Sequence, residues 1–403
     1  MNTPKYTALC AAILAVFAGQ ARADDWPPVT ISGFGTAALT ASDTDDAEFI
    51  RPNQKAGVRT SPRTGVDSNF GIQGSAKLSD MISVTVQGLV RKNVTDNYGA
   101  DMPWAFVKFK LSDDWNVRVG RTTLPIYFIS DYRNVGYANT MLRPPAEVYR
   151  QVNGGATDGI DVQWQHSYGD STVTAMGSIG RSRGPSRDGT AVTFHPVGDV
   201  LVQLENGPFT VRLGRAQATF DIVDLPGTPL ATLLPQMRSV PAYAAALAQV
   251  PTENISGSFS SAGMSMDWNN IVVLSEYAMR RTDTRLVADT NSWYAMIGYR
   301  IGKFTPYYYH GEASQQSIRS FTGLPTSGPL AALTAGANAA IKVAEQSGDA
   351  FGLRWDFSKS AALKVQVDRV KPKGSAPFSF VNITNPAYSG PIKVYAAAID
   401  FVF

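Results

Sequence analysis

The stretch FGLRWDFSKSAALKVQVD, residues 351–368, decides the fold. Its first arm sets Phe351, Leu353, Trp355 and Phe357 at every second position, with Arg354 and Asp356 between them. Its second arm sets Leu363, Val365 and Val367 against Lys364, Gln366 and Asp368. A period of two puts each set on one face of a β-strand. Lys359-Ser360 is the tight turn between the arms, so the stretch reads as a hairpin with one apolar and one charged face. A charge on a lipid face is costly near the bilayer midplane, so in a membrane-spanning sheet the charged face is the lumen.

The same alternation recurs along the chain. Strands are expected over 29–39, 70–79, 82–92, 104–111, 115–123, 159–169, 171–181, 197–205, 209–220, 255–268, 271–282, 292–302, 304–315, 349–358, 361–372 and 393–403. Asp80-Met81, Ser112-Asp113-Asp114, Asp170, Asn206-Gly207-Pro208, Asn269-Asn270, Lys303 and Lys359-Ser360 are short joints, mostly of turn residues. The joints 40–69, 93–103, 124–158, 182–196, 221–254, 283–291, 316–348 and 373–392 are long, and they alternate with the short ones. Short turns on one rim and long loops on the other describe an all-β fold: an antiparallel transmembrane β-barrel of about sixteen strands. Both termini fall on the short-turn rim, and a last strand running to Phe403 fits a sheet that closes on itself. Trp164, Trp268, Trp293, Tyr307-Tyr308-Tyr309, Tyr395, Phe401 and Phe403 lie near strand ends and are expected to form interfacial girdles. The Ala-rich segments 229–249 and 328–345 read either as short helices at the mouth or as disordered loop.

Composition agrees. Charged residues are 17% and the mean hydropathy is −0.10, too polar for a bundle of membrane helices but suited to a barrel with a wet interior. The most apolar later stretch, 229–250, is interrupted by Pro235, Arg238 and Pro241. A net charge of +3 carries no nucleic-acid signal. At the N-terminus, Lys5, the apolar run Ala8 to Gly19 and the small-x-small site Ala21-Arg22-Ala23 read as a signal peptide over 1–23, leaving a barrel over 24–403. The one cysteine, Cys10, lies in that leader, so no disulfide is expected in the mature chain.

Function in a barrel lies in its narrowest zone and its lumen charges. The third long joint, 124–158, carries Tyr127, Asp131, Tyr132, Arg133, Arg143, Pro144, Pro145, Glu147, Tyr149 and Arg150. A connection this long and this specific is expected to fold into the barrel as a constriction; the alternative is an exterior loop that latches onto a neighbouring subunit. Parity places Arg91, Lys108, Lys110, Arg118, Arg212, Arg280, Arg300, Arg354 and Lys364 in the lumen, against Asp161, Glu276, Asp356, Asp368 and Asp400. That basic excess favours anions, unless the charges pair and merely solvate the wall. Arg118, Arg121, Arg133, Arg143 and Glu147 are the candidates for the narrowest zone, Arg121 departing from strict parity.

The architecture resembles the Gram-negative outer-membrane porins. So do the segments Val119-Gly120-Arg121-Thr122-Thr123-Leu124-Pro125, Val135-Gly136-Tyr137 and Arg143-Pro144-Pro145-Ala146-Glu147-Val148-Tyr149, which are similar to a less characterised proteobacterial branch. General porins often carry an acidic cluster on this loop, whereas here Asp131 and Glu147 mix with Arg133, Arg143 and Arg150. The resemblance implies a passive outer-membrane channel for small hydrophilic solutes, set in lipid and assembled as a homotrimer. The alternatives are a selective channel for an anionic solute, a barrel enzyme such as a lipid hydrolase, or an adhesin. His166, His195 and His310 show no nucleophile motif and no metal-ligand spacing, His166 being assigned to the turn rim and the other two to the loop rim. No catalytic residue, metal or cofactor is expected.

Overall fold

The computed structural model describes residues 27–152, 155–185, 191–223, 229–316, 320–341, 345–373, 379–385 and 390–403; the expected signal peptide lies outside them. In chain order the strands are β1 (Val29–Ser42), β2 (Glu48–Phe49), β3 (Asn69–Lys77), β4 (Ile82–Lys92), β5 (Tyr98–Lys110), β6 (Trp115–Thr123), β7 (Ala156–Tyr168), β8 (Ser171–Pro185) and β9 (Ala191–Asn206). They continue with β10 (Phe209–Val223), β11 (Ile255–Trp268), β12 (Ile271–Thr282), β13 (Thr290–Tyr299), β14 (Phe304–Gln315), β15 (Glu345–Trp355), β16 (Ala361–Lys373), β17 (Phe380–Val381) and β18 (Ile392–Val402). All but β2 and β17 pair antiparallel with their neighbours in one closed barrel of sixteen strands. Closure is made by β1 on β18, ending in reciprocal backbone hydrogen bonds between Gly33 and Phe403 at 2.9 and 3.0 Å. Closing the sheet leaves no unpaired edge for lipid to face. The strands β2 and β17 pair with each other beside the loop rim and pack with Val58, Val66, Val370 and Val394.

The quoted hairpin has the register its sequence implies, with Leu353 opposite Val365 and Arg354 opposite Lys364. Phe351, Val365 and Val367 are exposed on the outer face, while Lys364, Gln366 and Asp368 are buried toward the interior. Tight turns work where their chemistry allows: Asn269 and Asn270 both take positive φ (46° and 68°), the pairing a two-residue hairpin needs to match strand twist.

The sequence reading is corrected at two places, and at a third an open alternative is decided. The strand β9 begins at Ala191, so His195 and Pro196 lie in a strand and not in a loop. Both ladders shift register there, skipping Pro196, which has no N–H to donate. Tyr307 and Tyr309 are buried toward the interior and leave only Tyr308 of that run outward. The Ala-rich joints form helices over Pro229–Arg238, Ala244–Leu247 and Ala331–Ala340, which share a core of Leu234, Met237, Tyr243 and Ala337, with the Tyr243 hydroxyl 2.9 Å from that of Thr334.

Candidate functional site

The connection after β6 runs inward. From Leu124 to Ser130 every residue is buried. Its apolar side chains, together with Met141, Val148 and Tyr149, pack on inward-facing Phe259, Tyr294, Met296, Tyr307 and Tyr309. The interior of this half of the barrel is therefore a packed core. Tyr127 packs between Tyr149, tilted to it, and Phe259, edge-on, at centroid distances of 4.7 and 5.3 Å, and its hydroxyl accepts the Val152 N–H at 3.0 Å.

The backbone of the loop cannot complete its hydrogen bonds in a ladder, so wall side chains supply them. Arg212 donates to the Pro125 and Phe128 carbonyls at 2.9 and 3.1 Å. Glu276 accepts from the Phe128 N–H at 3.1 Å and from the Tyr149 hydroxyl at 2.7 Å. Lys364 donates to the carbonyls of Gly136, Asn139 and Met141 at 2.7, 2.6 and 3.1 Å, with Asp400 as its counter-ion at 2.9 Å. Arg354 grips the Tyr137 and Asn139 carbonyls at 2.8 Å each, lies over the Tyr137 ring and is paired with Asp356. Gly136 sits so close to Asp400 that a Cβ there would collide with the carboxylate.

Arg143 projects from the loop in the opposite sense. It pairs with Asp67 at 2.8 and 3.1 Å and with Asp368 at 2.9 Å, over the face of Phe49. Burial opposes its charge, but the two carboxylates outweigh that and hold its pKa above the ordinary value. Glu147, on the short helix Ala146–Tyr149, is buried against Gly348 and Gly311. Its Oε1 accepts from Gln346 at 2.6 Å, while Oε2 has no partner among the described residues. Burial raises its pKa, with Asp368 adding to the effect.

On the far side of the loop the interior is polar. Arg51, Asn69, Arg91, Lys92 and Arg133 line a cavity there whose acid, Asp67, is already engaged by Arg143 and lies 3.7 Å from Arg51. Burial, with Arg143 and Arg133 close by, holds the Arg51 pKa below its ordinary value. No carboxylate is within salt-bridge distance of Arg91 or Arg133 among the described residues. Lower on the same wall Lys108 faces the interior opposite Arg118, which pairs with Asp161 at 2.8 Å and lies over Phe106. Asp131 is exposed on the loop.

The expected site residues thus separate. Arg212, Arg354, Arg143 and Glu147 hold the loop; Arg91 and Arg133 line the polar cavity, and Lys108, Arg118 and Asp131 lie outside it. Two candidates for the lumen are corrected. Lys110 is exposed at the turn rim, where Asp113 pairs with it at 2.7 Å. Arg121 shares the parity of exposed Val119 and forms two 2.7 Å bonds with Asp158, which shares that of exposed Ile160, so this pair faces outward. Asp67 and Arg51 were missed: they lie in the 40–69 joint, where no periodicity assigns a face. The three histidines are far apart, each beside one aspartate: Asp114 for His166, Asp221 for His195 and Asp349 for His310.

A family model described as Gram-negative porin matches residues 8–375. Among curated proteins no match is found. The fold is similar to that of an anion-selective porin from Comamonas acidovorans, at 14% identity and a TM-score of 0.55, covering 93% of this chain and 99% of that one. It is similar to OmpF of Salmonella typhi in complex with daunomycin, at 12% identity and 0.54, covering 95% and 99%. It is also similar to in-vitro folded OmpT, an outer membrane protein of Vibrio cholerae in a trimer form, at 11% identity and 0.52, covering 94% and 100%.

Proposed function

The chain belongs to the Gram-negative porin family and is an outer-membrane diffusion channel, and from that premise we propose that its aperture lies between the inward loop and the wall of β3 to β7 and favours small hydrophilic anions. The observation that carries this reading is the grouping of Arg51, Arg91 and Arg133 around one cavity whose carboxylate is held by Arg143. Guanidinium groups lining a narrow, low-dielectric passage raise the local anion concentration and repel cations. Lys108, two strands from β3, extends the positive track toward the turn rim. Four of the other basic side chains that parity assigned to the lumen, Arg212, Arg280, Arg354 and Lys364, engage loop carbonyls and add less to the field along this track. Family and fold point to a channel and not to an enzyme.

Reversal potentials across planar bilayers in a KCl gradient test the reading. The expected sign is that of a chloride-preferring pore, with Arg91→Gln combined with Arg133→Gln moving it toward potassium. A wild-type pore that prefers potassium would sink it. Preference should also fade between about 0.1 and 1 M salt, where the screening length falls from roughly 10 to 3 Å.

A further inference from the structure

A second cavity, of about 140 Å³, lies on the other side of the loop, in the half of the barrel toward the long-loop rim. Its walls are Phe194, Ala218, Phe220 and Phe259 from β9, β10 and β11, with Arg150 and Arg280 at its polar edge. Ala218 and Gly257 are direct cross-strand partners; the Phe220 ring lies over Gly257, and the short Ala218 side chain leaves the room beside it. The Phe194 and Phe220 rings lie 5.5 Å apart beside that gap. Arg280 is fixed by donating to the carbonyls of Ala288, at 3.0 Å, and Gln151.

We propose that this cavity is a binding site for a benzoate-sized monocarboxylate, a proposal that rests on the channel reading and adds a solute class to it. Three features select that chemistry. The volume is close to that of an apolar cavity of about 150 Å³ that holds benzene. Most of the wall is aromatic or aliphatic, so a solute with one charged end suits it better than a sugar, whose hydroxyls point all round and would be buried against apolar rings. The two guanidinium groups at the edge suit a carboxylate and oppose an ammonium group. A site of this kind, on the long-loop side of the inward loop, holds solute briefly and releases it on the way to the aperture, as conduction requires.

Single-channel recording of the purified protein in KCl tests the proposal with sodium benzoate and sodium acetate as the probes. Benzoate is expected to reduce the open current saturably, and acetate at equal concentration to leave it unreduced. Ala218→Phe, which fills the cavity, is expected to weaken the benzoate effect about tenfold when scored against that variant's own open current. Equal effects of the two anions, or undiminished benzoate block in Ala218→Phe, would overturn it. Should Ala218→Phe fail to fold, Ala218→Val is read in the same way. Fluorine NMR of 4-fluorobenzoate, competed by benzoate and not by acetate, reads the site without current. Its signal therefore survives if the channel reading fails and disappears if the site is absent.

Discussion

At the scale of single residues, Glu147 shows how the loop depends on protonation. Its carboxyl sits in a notch made by two glycines, with one oxygen bonded to Gln346 and the other unpartnered among the described residues. Burial raises its pKa from the ordinary 4.5, against the pull of the Gln346 bond. The folded, docked state therefore binds the proton more tightly than the unfolded chain, and this carboxyl's contribution to stability is full below pH 4.5 and is lost as the pH rises above it. Glu147→Gln keeps the shape and an acceptor oxygen without an ionisable group. The expected outcome is a barrel whose unfolding temperature no longer declines over that pH window. A decline as steep as the wild type's would show that other carboxyls set it.

At the scale of the element, the loop is a tethered insert whose largest electrostatic fastening is Arg143. Its guanidinium reaches Asp67 from one connection and Asp368 from β16, so three separate parts of the chain meet on one side chain. Removing one member of a buried ion pair leaves the others charged and unpartnered, at a cost of about 3–5 kcal/mol. Arg143→Ala is expected to destabilise the folded protein by about that amount in chemical unfolding and to add flicker to the open-channel current. Arg143→Lys should restore little, because an ammonium group cannot make the forked contact to Asp67 while reaching Asp368. The strands were legible because a period of two reports which face is which, even across short segments such as Leu363 to Asp368. The loop's partners were not legible for the complementary reason. Nothing in 124–158 repeats, and a charged residue at an inward position looks the same whether it meets water or a backbone carbonyl. Lys364 and Arg212 were placed on the correct face, yet what they hold could be seen only with the loop in place. Tyr307 and Tyr309 were misassigned for a related cause, since aromatic residues suit both a membrane girdle and a packed interior.

At the scale of the whole molecule, the outer surface decides association. Leu39, Tyr395, Ile399 and Phe403 are exposed along the β1–β18 seam, next to a shallow groove bordered by Phe351 and Val367. We expect this apolar face to support a homotrimer within the bilayer. An unboiled sample should then migrate as a species near three chain masses and collapse to one on heating. A folded species at a single chain mass in mild detergent, by light scattering, would exclude it. The whole barrel was legible because the alternation of short and long joints is a global pattern, insensitive to errors of a few residues at any strand end.

The bond between Thr36 and Asp400, at 2.5 Å, joins residues 364 positions apart. Asp400 is also the counter-ion of Lys364, which in turn holds the loop carbonyls at Gly136, Asn139 and Met141. The three wall residues belong to β1, β16 and β18, and only the closed seam brings them together. A bond so widely separated along the chain is slow to form, because the ends of the sheet must meet first. Assembly therefore has an order: a sheet still open at its seam lacks the complete anchor, and the insert is secured when the last strand meets the first. The step that seals the barrel against lipid is also the step that completes the anchor of the insert inside it.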